Sequence, residues 1–306
     1  MLAFSTNWNA GRQPEGRLLV EEILNLGFDT LELGHGLSVA QLHGIRQAHD
    51  KGCGGFRVIS VHNFCPMPVE IPGDNPDCYQ FSSHRPQERE RALRLTRQTI
   101  ATAGEFGAGF VVLHLGRVTR LAGMTRSLLG KLRREGVAGR GYARFKLECV
   151  LRREKLSRFY VDRVSCLLEA LLEEACRSGV TLVVENRSDY EAIPSERELS
   201  ALLRRFDSPH LRYWHDFGHA QLRENLGLLD HAQWLEGIAP FAAGTHLQDA
   251  RWPDQDHLIP FGGEIPFDRL TPLLPSSLPH VLELSPAAQP EAIRAAATRW
   301  NSLFAP

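Results

Sequence analysis

The 306-residue sequence has few cysteines and no long apolar run, and each lack excludes a class of protein. Its six cysteines are scattered without a C-x-x-C pair, so neither a zinc ribbon nor a thioredoxin-like redox motif is indicated. No run of about 18 apolar residues occurs, so no membrane span is expected. The N-terminal residues lack a basic segment followed by an apolar run, so no secretory signal is predicted and the default expectation is a cytoplasmic protein.

An excess of charge of one sign is also lacking over the chain as a whole. The 35 Lys and Arg residues nearly balance 36 Asp and Glu, so the molecule is not an obvious binder of nucleic acid or other polyanions. One region departs from this balance. Residues 117–163 hold 14 Lys or Arg and 4 Asp or Glu, a net charge of +10, which leaves −11 for the remainder.

Eight short apolar segments alternate with longer segments of helical spacing. The predicted strands are 2–6, 29–34, 56–62, 109–115, 180–186, 211–216, 241–247 and 280–285. The predicted helices are 17–27, 38–52, 86–107, 162–179, 195–206, 226–238, 266–274 and 289–304. Such alternation implies parallel strands joined by right-handed crossovers.

Eight strand–helix units predict a single (β/α)8 TIM barrel, an α/β fold, over residues 1–306. The main rival is a doubly wound open sheet, which usually carries a glycine-rich phosphate turn after its first strand. Residues 7–16 contain no G-x-G-x-x-G motif, so the barrel is favoured.

One segment interrupts the alternation after the fourth strand. Residues 117–161 far exceed the usual loop of about 2–6 residues, and they predict a basic helical insertion. It is either a solvated excursion that covers the barrel top or a lid whose arginines meet an anionic substrate such as a phosphate. A second long loop, 63–85, follows the third strand, and both loops leave the barrel face where active sites lie.

Seven consecutive predicted strands end in a carboxylate or an imidazole. In chain order these residues are Glu32, His62, His114, Glu185, Asp216, His246 and Glu283. In a closed barrel they form a ring about one mouth, where several buried carboxylates without a cation would cost many kcal/mol. The pattern therefore predicts a divalent metal ion, and the mixed donors suit Mn²⁺, Zn²⁺, Co²⁺ or Fe²⁺ better than Mg²⁺.

The strongest group is formed by the acids and the imidazole at the last four strand ends, which are Glu185, Asp216, His246 and Glu283. Taken singly, a strand-end histidine such as His62 or His114 is more often a hydrogen-bonded core residue than a ligand. Glu32 is interpreted as an acid behind the ligands or in contact with substrate. His215 precedes Asp216 and is expected to face the opposite side of the strand. The remaining histidines are predicted to be surface or packing residues, namely His35, His43, His49, His210, His231 and His280.

Short motifs around these strand ends are together fairly specific in their order and spacing. They are 61-VHNFCP-66, 113-LHLG-116, 184-VEN-186, 216-DFGHA-220, 246-HLQDA-250, 256-DH-257, 262-GGEI-265 and 282-LELS-285. The combination resembles the xylose-isomerase-like barrel superfamily, which holds sugar isomerases, sugar epimerases and apurinic endonucleases. The early motifs resemble its sugar phosphate isomerase/epimerase branch.

The resemblance implies that Glu185, Asp216, His246 and Glu283 hold the metal and that the two glutamates also move the substrate proton. It implies that His219 contacts substrate or a second metal. The other substrate-binding residues that it implies are His62, His114, Arg187, Arg251 and His257. The implied substrate is a small sugar, polyol or sugar phosphate, and a homo-oligomer is left open.

The sequence departs from the apurinic endonucleases at one point. They carry an Asp-x-His pair after the seventh strand, whereas here Gln255 precedes an adjacent Asp256–His257 pair. One metal is therefore favoured, with two or three left open. The leading hypothesis is a metal-dependent isomerase or epimerase that acts through an enediolate. The alternatives are a phosphodiesterase of the apurinic-endonuclease kind and a non-catalytic sugar-binding barrel.

Overall fold

Eight parallel strands close into a barrel in the computed structural model, which describes residues 1–52, 55–73 and 75–304. The barrel strands are β1 (Leu2–Ser5), β2 (Thr30–Leu33), β3 (Arg57–His62), β4 (Phe110–Leu113), β5 (Thr181–Glu185), β6 (Leu211–Asp216), β7 (Ala242–Leu247) and β10 (His280–Leu282). An antiparallel hairpin, β8 (Asp249–Arg251) and β9 (Gln255–Leu258), follows β7. β1 pairs with both β2 and β10, so the predicted TIM barrel is confirmed.

The helices pack around the barrel. They are α1 (Asn7–Ala10), α2 (Gly16–Asn25), α3 (Val39–Asp50), α4 (Pro86–Glu105), α5 (Met124–Glu135), α6 (Arg140–Arg177), α7 (Glu196–Phe206), α8 (Phe217–Asn225), α9 (His231–Ile238), α10 (Phe267–Leu270) and α11 (Pro290–Phe304). Ser195 and Glu198 form the capping box that begins α7, and Pro86 lies in the first turn of α4. Among the described residues, none of the helices has both the length and the apolar character of a membrane span.

Five of the six cysteines are free thiols, and Cys53 lies outside the described residues, as does residue 74 in the 63–85 loop. Burial raises the pKa of the Cys65 thiol to about 12. A thiol with so high a pKa is inert at neutral pH, so Cys65 is a packing residue.

The basic insertion is helical, but its boundary differs from the prediction. The sequence predicts a new helix at residue 162, whereas α6 runs without a break from Arg140 to Arg177. Residues 142–177 contain neither glycine nor proline, so nothing in the chain ends the helix between them. The insertion is therefore α5 followed by an N-terminal extension of the helix that precedes β5.

Buried polar contacts dock this insertion onto the loop between β5 and α7. Arg153, only 2% exposed, donates to the carbonyl oxygens of Tyr190 at 2.6 Å and Ala192 at 2.5 Å, and it pairs with Glu198. On the α5 side, Glu191 accepts from the backbone N–H of Thr125 at 3.0 Å. The insertion is thus fixed beside the C-terminal mouth of the barrel.

Candidate metal centre

Four of the predicted strand-end residues converge at the C-terminal mouth of the barrel. Glu185, Asp216, His246 and Glu283 each present one donor atom within 4.8 Å of the others. All four are buried, with at most 4% of their surface exposed. They come together because parallel strands end at one rim and because alternate side chains of each strand face the barrel interior.

The surroundings of His246 Nδ1 show whether these four residues suit a cation. Its Nδ1 lies 3.3 Å from Glu283 Oε2, 3.4 Å from Glu185 Oε1 and 3.9 Å from Asp216 Oδ2. Yet Nδ1 is buried and makes no hydrogen bond to any of the described residues. One nitrogen and three carboxylates directed at a common point fit a divalent ion with mixed nitrogen and oxygen ligands.

Glu32 lies behind His246 and orients its ring. His246 Nε2 is 3.2 Å from both carboxylate oxygens of Glu32, and the Ser60 hydroxyl donates to Glu32 Oε2 at 2.8 Å. A carboxylate on one ring nitrogen of a histidine holds the other nitrogen ready to accept a metal. The structure thus places Glu32 as a supporting acid, one of the two interpretations that the sequence allows.

Glu185 belongs to a second group of donors as well. Its Oε2 lies 2.8 Å from His114 Nε2 and 3.4 Å from His62 Nε2, and these three residues also come within 4.8 Å of one another. Its other oxygen, Oε1, lies 3.1 Å from His219 Nδ1. One carboxylate therefore lies between two candidate ion positions.

His114 is held by Asp77, a residue that the sequence analysis missed. Asp77 Oδ1 lies 3.1 Å from His114 Nδ1, and Arg187 Nη1 lies 2.7 Å from His114 Nε2. The Asp77 carboxylate also lies within reach of two guanidinium groups, those of Arg117 at 3.5 Å and Arg187 at 4.0 Å. The 63–85 loop thus contributes a charged residue to the mouth of the barrel.

A third group of donors lies beside the first. His219, Asp256 and His257 bring one donor atom each within 4.8 Å, although the sequence has Asp-His in place of Asp-x-His. Adjacent side chains of an extended strand point to opposite sides. His257 instead adopts a left-handed backbone conformation with φ of 52°, which allows its side chain to lie in the same donor group as that of Asp256. The His219 backbone N–H donates to Asp216 Oδ1 at 2.6 Å, so Asp216 also caps α8.

Three further polar side chains support the centre without having been predicted. Asn7 donates to Glu283 Oε1 at 2.8 Å, and Gln248 donates to Asp216 Oδ2 at 2.7 Å. His35, predicted to be a surface or packing residue, packs its ring against His62 and also lies 3.9 Å from Glu283 Oε1, in a donor group with Glu283 and His62. Asn7 lies two residues after the end of β1, close to a strand end, which is the signal that could have found it.

The structure also shows where Arg251 and His215 lie. Arg251 lies exposed on the β8–β9 hairpin and donates to the carbonyl oxygen of Gly262 at 2.8 Å. His215 faces the helical layer, where its Nδ1 lies 2.7 Å from the Tyr213 hydroxyl and its Nε2 lies 3.0 Å from His231. The structure therefore separates His215 from its neighbour Asp216, as strand alternation requires.

The electrostatics of the central group show how its charges depend on one another. Burial alone would raise the pKa of Glu185, but the charges of His114 and His246 hold this pKa well below its usual value. Burial would lower the pKa of His246, but Glu283 and Glu32 raise it well above its usual value. Burial raises the pKa of Asp216. The raised pKa of His246 therefore favours a proton on its ring, which offsets part of the carboxylate charge, and a bound cation would displace this proton.

The fold and this site define a TIM barrel with acids and imidazoles gathered at its C-terminal mouth. The sequence matches the xylose isomerase-like TIM barrel family over residues 20–300, and the chain belongs to that family. No curated protein matches the chain by sequence.

Solved structures share the fold at low sequence identity. A D-tagatose 3-epimerase-like protein is 16% identical with a TM-score of 0.69, and the match covers 99% of this chain and 96% of that one. The 3-keto-D-glucoside 4-epimerase from E. coli is 17% identical with a TM-score of 0.66, and the match covers 98% of each chain. An L-ribulose 3-epimerase is 16% identical with a TM-score of 0.65, with coverage of 100% and 88%. At these identities the likeness establishes the fold, and the chemistry rests on the site itself.

Proposed function

We propose that the chain is a metal-dependent isomerase or epimerase of a small sugar, polyol or sugar phosphate. The observation that carries the proposal is the pair of carboxylates that flanks His246. Glu185 and Glu283, from strands on different sides of the mouth, lie 3.4 Å and 3.3 Å from the same nitrogen. Two carboxylates that share one reaction centre are what a proton transfer between two faces or two carbons of a substrate requires.

In this mechanism one glutamate removes the proton from the carbon next to the substrate carbonyl. The electron pair of the broken C–H bond passes into the carbon–carbon bond and on to the carbonyl oxygen, which gives an enediolate. The other glutamate returns a proton, either to the opposite face of the same carbon or to the neighbouring carbon. The first outcome is epimerisation, in which one glutamate gains the proton that the other gives up. The second outcome is isomerisation, in which the proton of the substrate hydroxyl group must also pass to the former carbonyl oxygen, so that the hydroxyl-bearing carbon becomes the new carbonyl carbon.

A divalent cation held by Glu185, Asp216, His246 and Glu283 would act as a Lewis acid for the negative charge that develops on the substrate oxygen. Mn²⁺, Zn²⁺ and Co²⁺ suit this donor set better than Mg²⁺. Glu32 keeps the ring of His246 directed at the centre, and Gln248 does the same for Asp216.

The side chains around the centre suit a polyhydroxylated substrate. His62, His114 and His219 are at most 7% exposed, and with Arg187 they offer hydrogen-bond donors and acceptors around Glu185. Structural relatives are named as a D-tagatose 3-epimerase-like protein, an L-ribulose 3-epimerase and a 3-keto-D-glucoside 4-epimerase, which also favours a sugar. Arg251 completes the set by resemblance to the epimerases, and it would have to reach the mouth from its exposed hairpin.

The direct test is exchange of a substrate carbon-bound hydrogen with solvent. Protein loaded with Mn²⁺ or Co²⁺ is incubated in D₂O with a panel of ketoses and ketose phosphates, and deuterium at carbon is measured by NMR. The proposal predicts uptake on at least one sugar, and it predicts that Glu185→Gln and Glu283→Gln each lower the rate of uptake by about 10²-fold or more.

Glu236→Gln is the matched control, because Glu236 is an exposed glutamate on α9. This variant should exchange at the wild-type rate. If the metal-loaded wild type exchanges no sugar in the panel, the proposed function is rejected.

A second candidate is phosphodiester hydrolysis at abasic sites in DNA. The observation that favours it is that several donor groups lie together at the mouth, two of which share Glu185. Neighbouring metal ions can stabilise the attacking and leaving oxygens of a displacement at phosphorus. A nicking assay on an abasic duplex decides the matter, since incision at low enzyme concentration supports this candidate and an intact duplex rejects it.

A further inference from the structure

Many of the cations in the basic insertion already have structural partners. Arg133 pairs with Asp254 at 2.6 Å, and Arg153 pairs with Glu198 at 2.8 Å. Lys146 donates to the carbonyl oxygen of Gly227 at 2.8 Å. These contacts fix the insertion to the rest of the barrel. They account for only part of its positive charge, because other cations of the insertion have no such partner among the described residues.

Three other cations of the insertion line a single cavity. Arg120, Lys155 and Arg158 border a space of about 470 Å³ between the segment after β4 and the outer side of α6. Within the described residues, none of these three side chains makes a hydrogen bond or an ion pair, and all three residues are exposed. One carboxylate, that of Asp162, borders the same space, so the cavity keeps a net positive charge.

The floor of this cavity is organised by a hydrogen-bonded set of side chains. His84 Nε2 lies 2.6 Å from the Tyr160 hydroxyl, which lies 3.1 Å from the hydroxyl of Thr119. Phe159 borders the cavity with 53% of its surface exposed, and the guanidinium of Arg163 lies 3.8 Å from the centre of its ring. Donors and an aromatic face thus lie beside the unpaired cations.

The positive charges around this cavity affect the pKa of His84. Burial and then the positive charges of Arg163 and Arg120 lower the pKa of this imidazole. The potential at the cavity wall is therefore positive, and it disfavours one more cation there while favouring an anion.

We propose that this space, called here the basic cavity and bordered by Arg120, Lys155, Arg158, His84 and Phe159, binds the phosphate group of a small phosphorylated molecule. Arginine and lysine form charge-assisted hydrogen bonds with phosphate oxygens, and two arginines and a lysine around one space supply several such donors. The site goes beyond the proposed function and does not depend on it.

The basic cavity is also connected to the candidate metal centre. Ser82, two residues before His84, accepts from the Arg117 backbone N–H at 2.9 Å. The Arg117 guanidinium lies 3.5 Å from Asp77, the carboxylate that holds His114. A phosphate that draws His84 or Arg120 toward itself therefore acts on a segment that also positions a residue of the mouth.

Binding is tested by isothermal titration calorimetry of the full chain with inorganic phosphate and with pyrophosphate at constant ionic strength. The wild type should bind at least one of them saturably. Lys155→Gln combined with Arg158→Gln should weaken that binding by about tenfold or more, because each removes a charge-assisted hydrogen bond.

The matched control is Arg126→Gln combined with Arg140→Gln. Both arginines are exposed cations of the same insertion that do not border the basic cavity. This control removes the same charge and should leave the affinity within about twofold, since distant exposed charges are largely screened. Equal weakening in the two double variants, or the absence of saturable binding in the wild type, overturns the proposal.

Two sources of the phosphate group are distinguished by a second measurement. If the phosphate belongs to the sugar substrate, the Lys155/Arg158 double variant raises KM for a phosphorylated sugar and not for its unphosphorylated form. If it belongs to a separate ligand, the same variant loses phosphate binding while the ratio of the two KM values stays unchanged. The calorimetric result stands whether or not the protein turns over any sugar.

Discussion

The interior of the barrel holds two layers of opposite character that are built by the same strands. In β5, Val183 lies in the lower layer and Glu185, two residues later, lies in the upper one. In β6, Trp214 and Asp216 have the same relationship. The lower layer is a separate apolar cluster whose members are all completely buried, and these are Ala3, Val112, Val183, Trp214 and Val281.

The two layers have opposite effects on stability: the lower layer favours folding, and the upper layer opposes it. Filling the lower layer with apolar side chains is favourable, because apolar surface leaves water and close packing is recovered. Burying carboxylates in the upper layer is unfavourable unless a cation or a proton balances them. An arrangement that opposes folding and yet places four donors around one point indicates a binding site.

Two histidines, His219 at the upper end of the barrel and His280 at the lower end, show the same contrast. At the upper end, burial is outweighed by Asp216, which raises the pKa of His219 to about 9. At the lower end, burial lowers the pKa of His280 to about 4. Carboxylates thus favour the charged form of His219, whereas burial favours the neutral form of His280.

The largest expected effect comes from breaking the upper layer alone. Glu185→Gln keeps the shape of the side chain but removes the base, so the exchange rate should fall by about 10²–10⁴-fold, the usual contribution of general acid–base catalysis. The variant should still unfold in one cooperative transition, measured by circular dichroism. A variant that keeps its exchange rate would contradict the division of roles between the layers.

The complementary change breaks the lower layer in the same strand. Val183→Ala leaves a small cavity in the apolar cluster and should lower the free energy of unfolding by about 2 kcal/mol. The exchange rate per folded molecule should change by less than about threefold, because the donors above are untouched. Urea denaturation and the exchange assay check the two halves of this prediction, and a loss of rate that exceeds the loss of folded protein would count against it.

A third substitution, Gly244→Ala, should affect both layers. A Cβ at Gly244 would collide with the Trp214 ring, so Gly244→Ala should destabilise the fold by about 1–3 kcal/mol through overpacking. Trp214 lies two residues before Asp216, so metal affinity should fall as well. Adding Trp214→Phe makes room and should recover part of both losses. If Gly244→Ala leaves stability and metal affinity unchanged, the layers are independent.

A smaller effect is expected from the acid behind the centre. Glu32→Gln weakens the contact that orients His246, and metal affinity should fall by about 10–100-fold, as is usual for a residue that supports a ligand. Calorimetric titration with Zn²⁺ or Mn²⁺ measures this. Ser60→Ala, which removes only the hydroxyl that donates to Glu32, should have a weaker effect. The opposite order would show that Glu32 does not act through His246.

The smallest effect concerns the pH dependence of stability, to which His280 at the lower end of the barrel contributes. The folded pKa of His280 is about 4, below the value of about 6.5 for an unfolded chain. Its contribution to stability is therefore complete above pH of about 6.5, and it is lost as the pH falls toward 4, because the unfolded state takes up the proton first. Urea midpoints at pH 7.5 and pH 5 should differ less in His280→Gln than in the wild type. An equal difference in both proteins would remove His280 from the explanation.

Strand ends and their donors could be predicted from the sequence because an apolar run that gives way to Glu, Asp or His marks a position in the fold directly. Glu185, Asp216 and His246 were found in this way. Asp77 and His35 were not, because they lie in loops whose path depends on contacts with distant residues. The continuity of α6 had a local signal, the lack of glycine and proline over residues 142–177, which the change from basic to mixed composition obscured.

The central claim is that acids and an imidazole from four strands bind one divalent cation. It is tested most directly by anomalous diffraction from crystals grown with Zn²⁺, measured on both sides of the metal absorption edge. The account predicts one peak at about 2.0–2.3 Å from donor atoms of Glu185, Asp216, His246 and Glu283. The absence of a peak there, or an ion bound only by other residues, would contradict it.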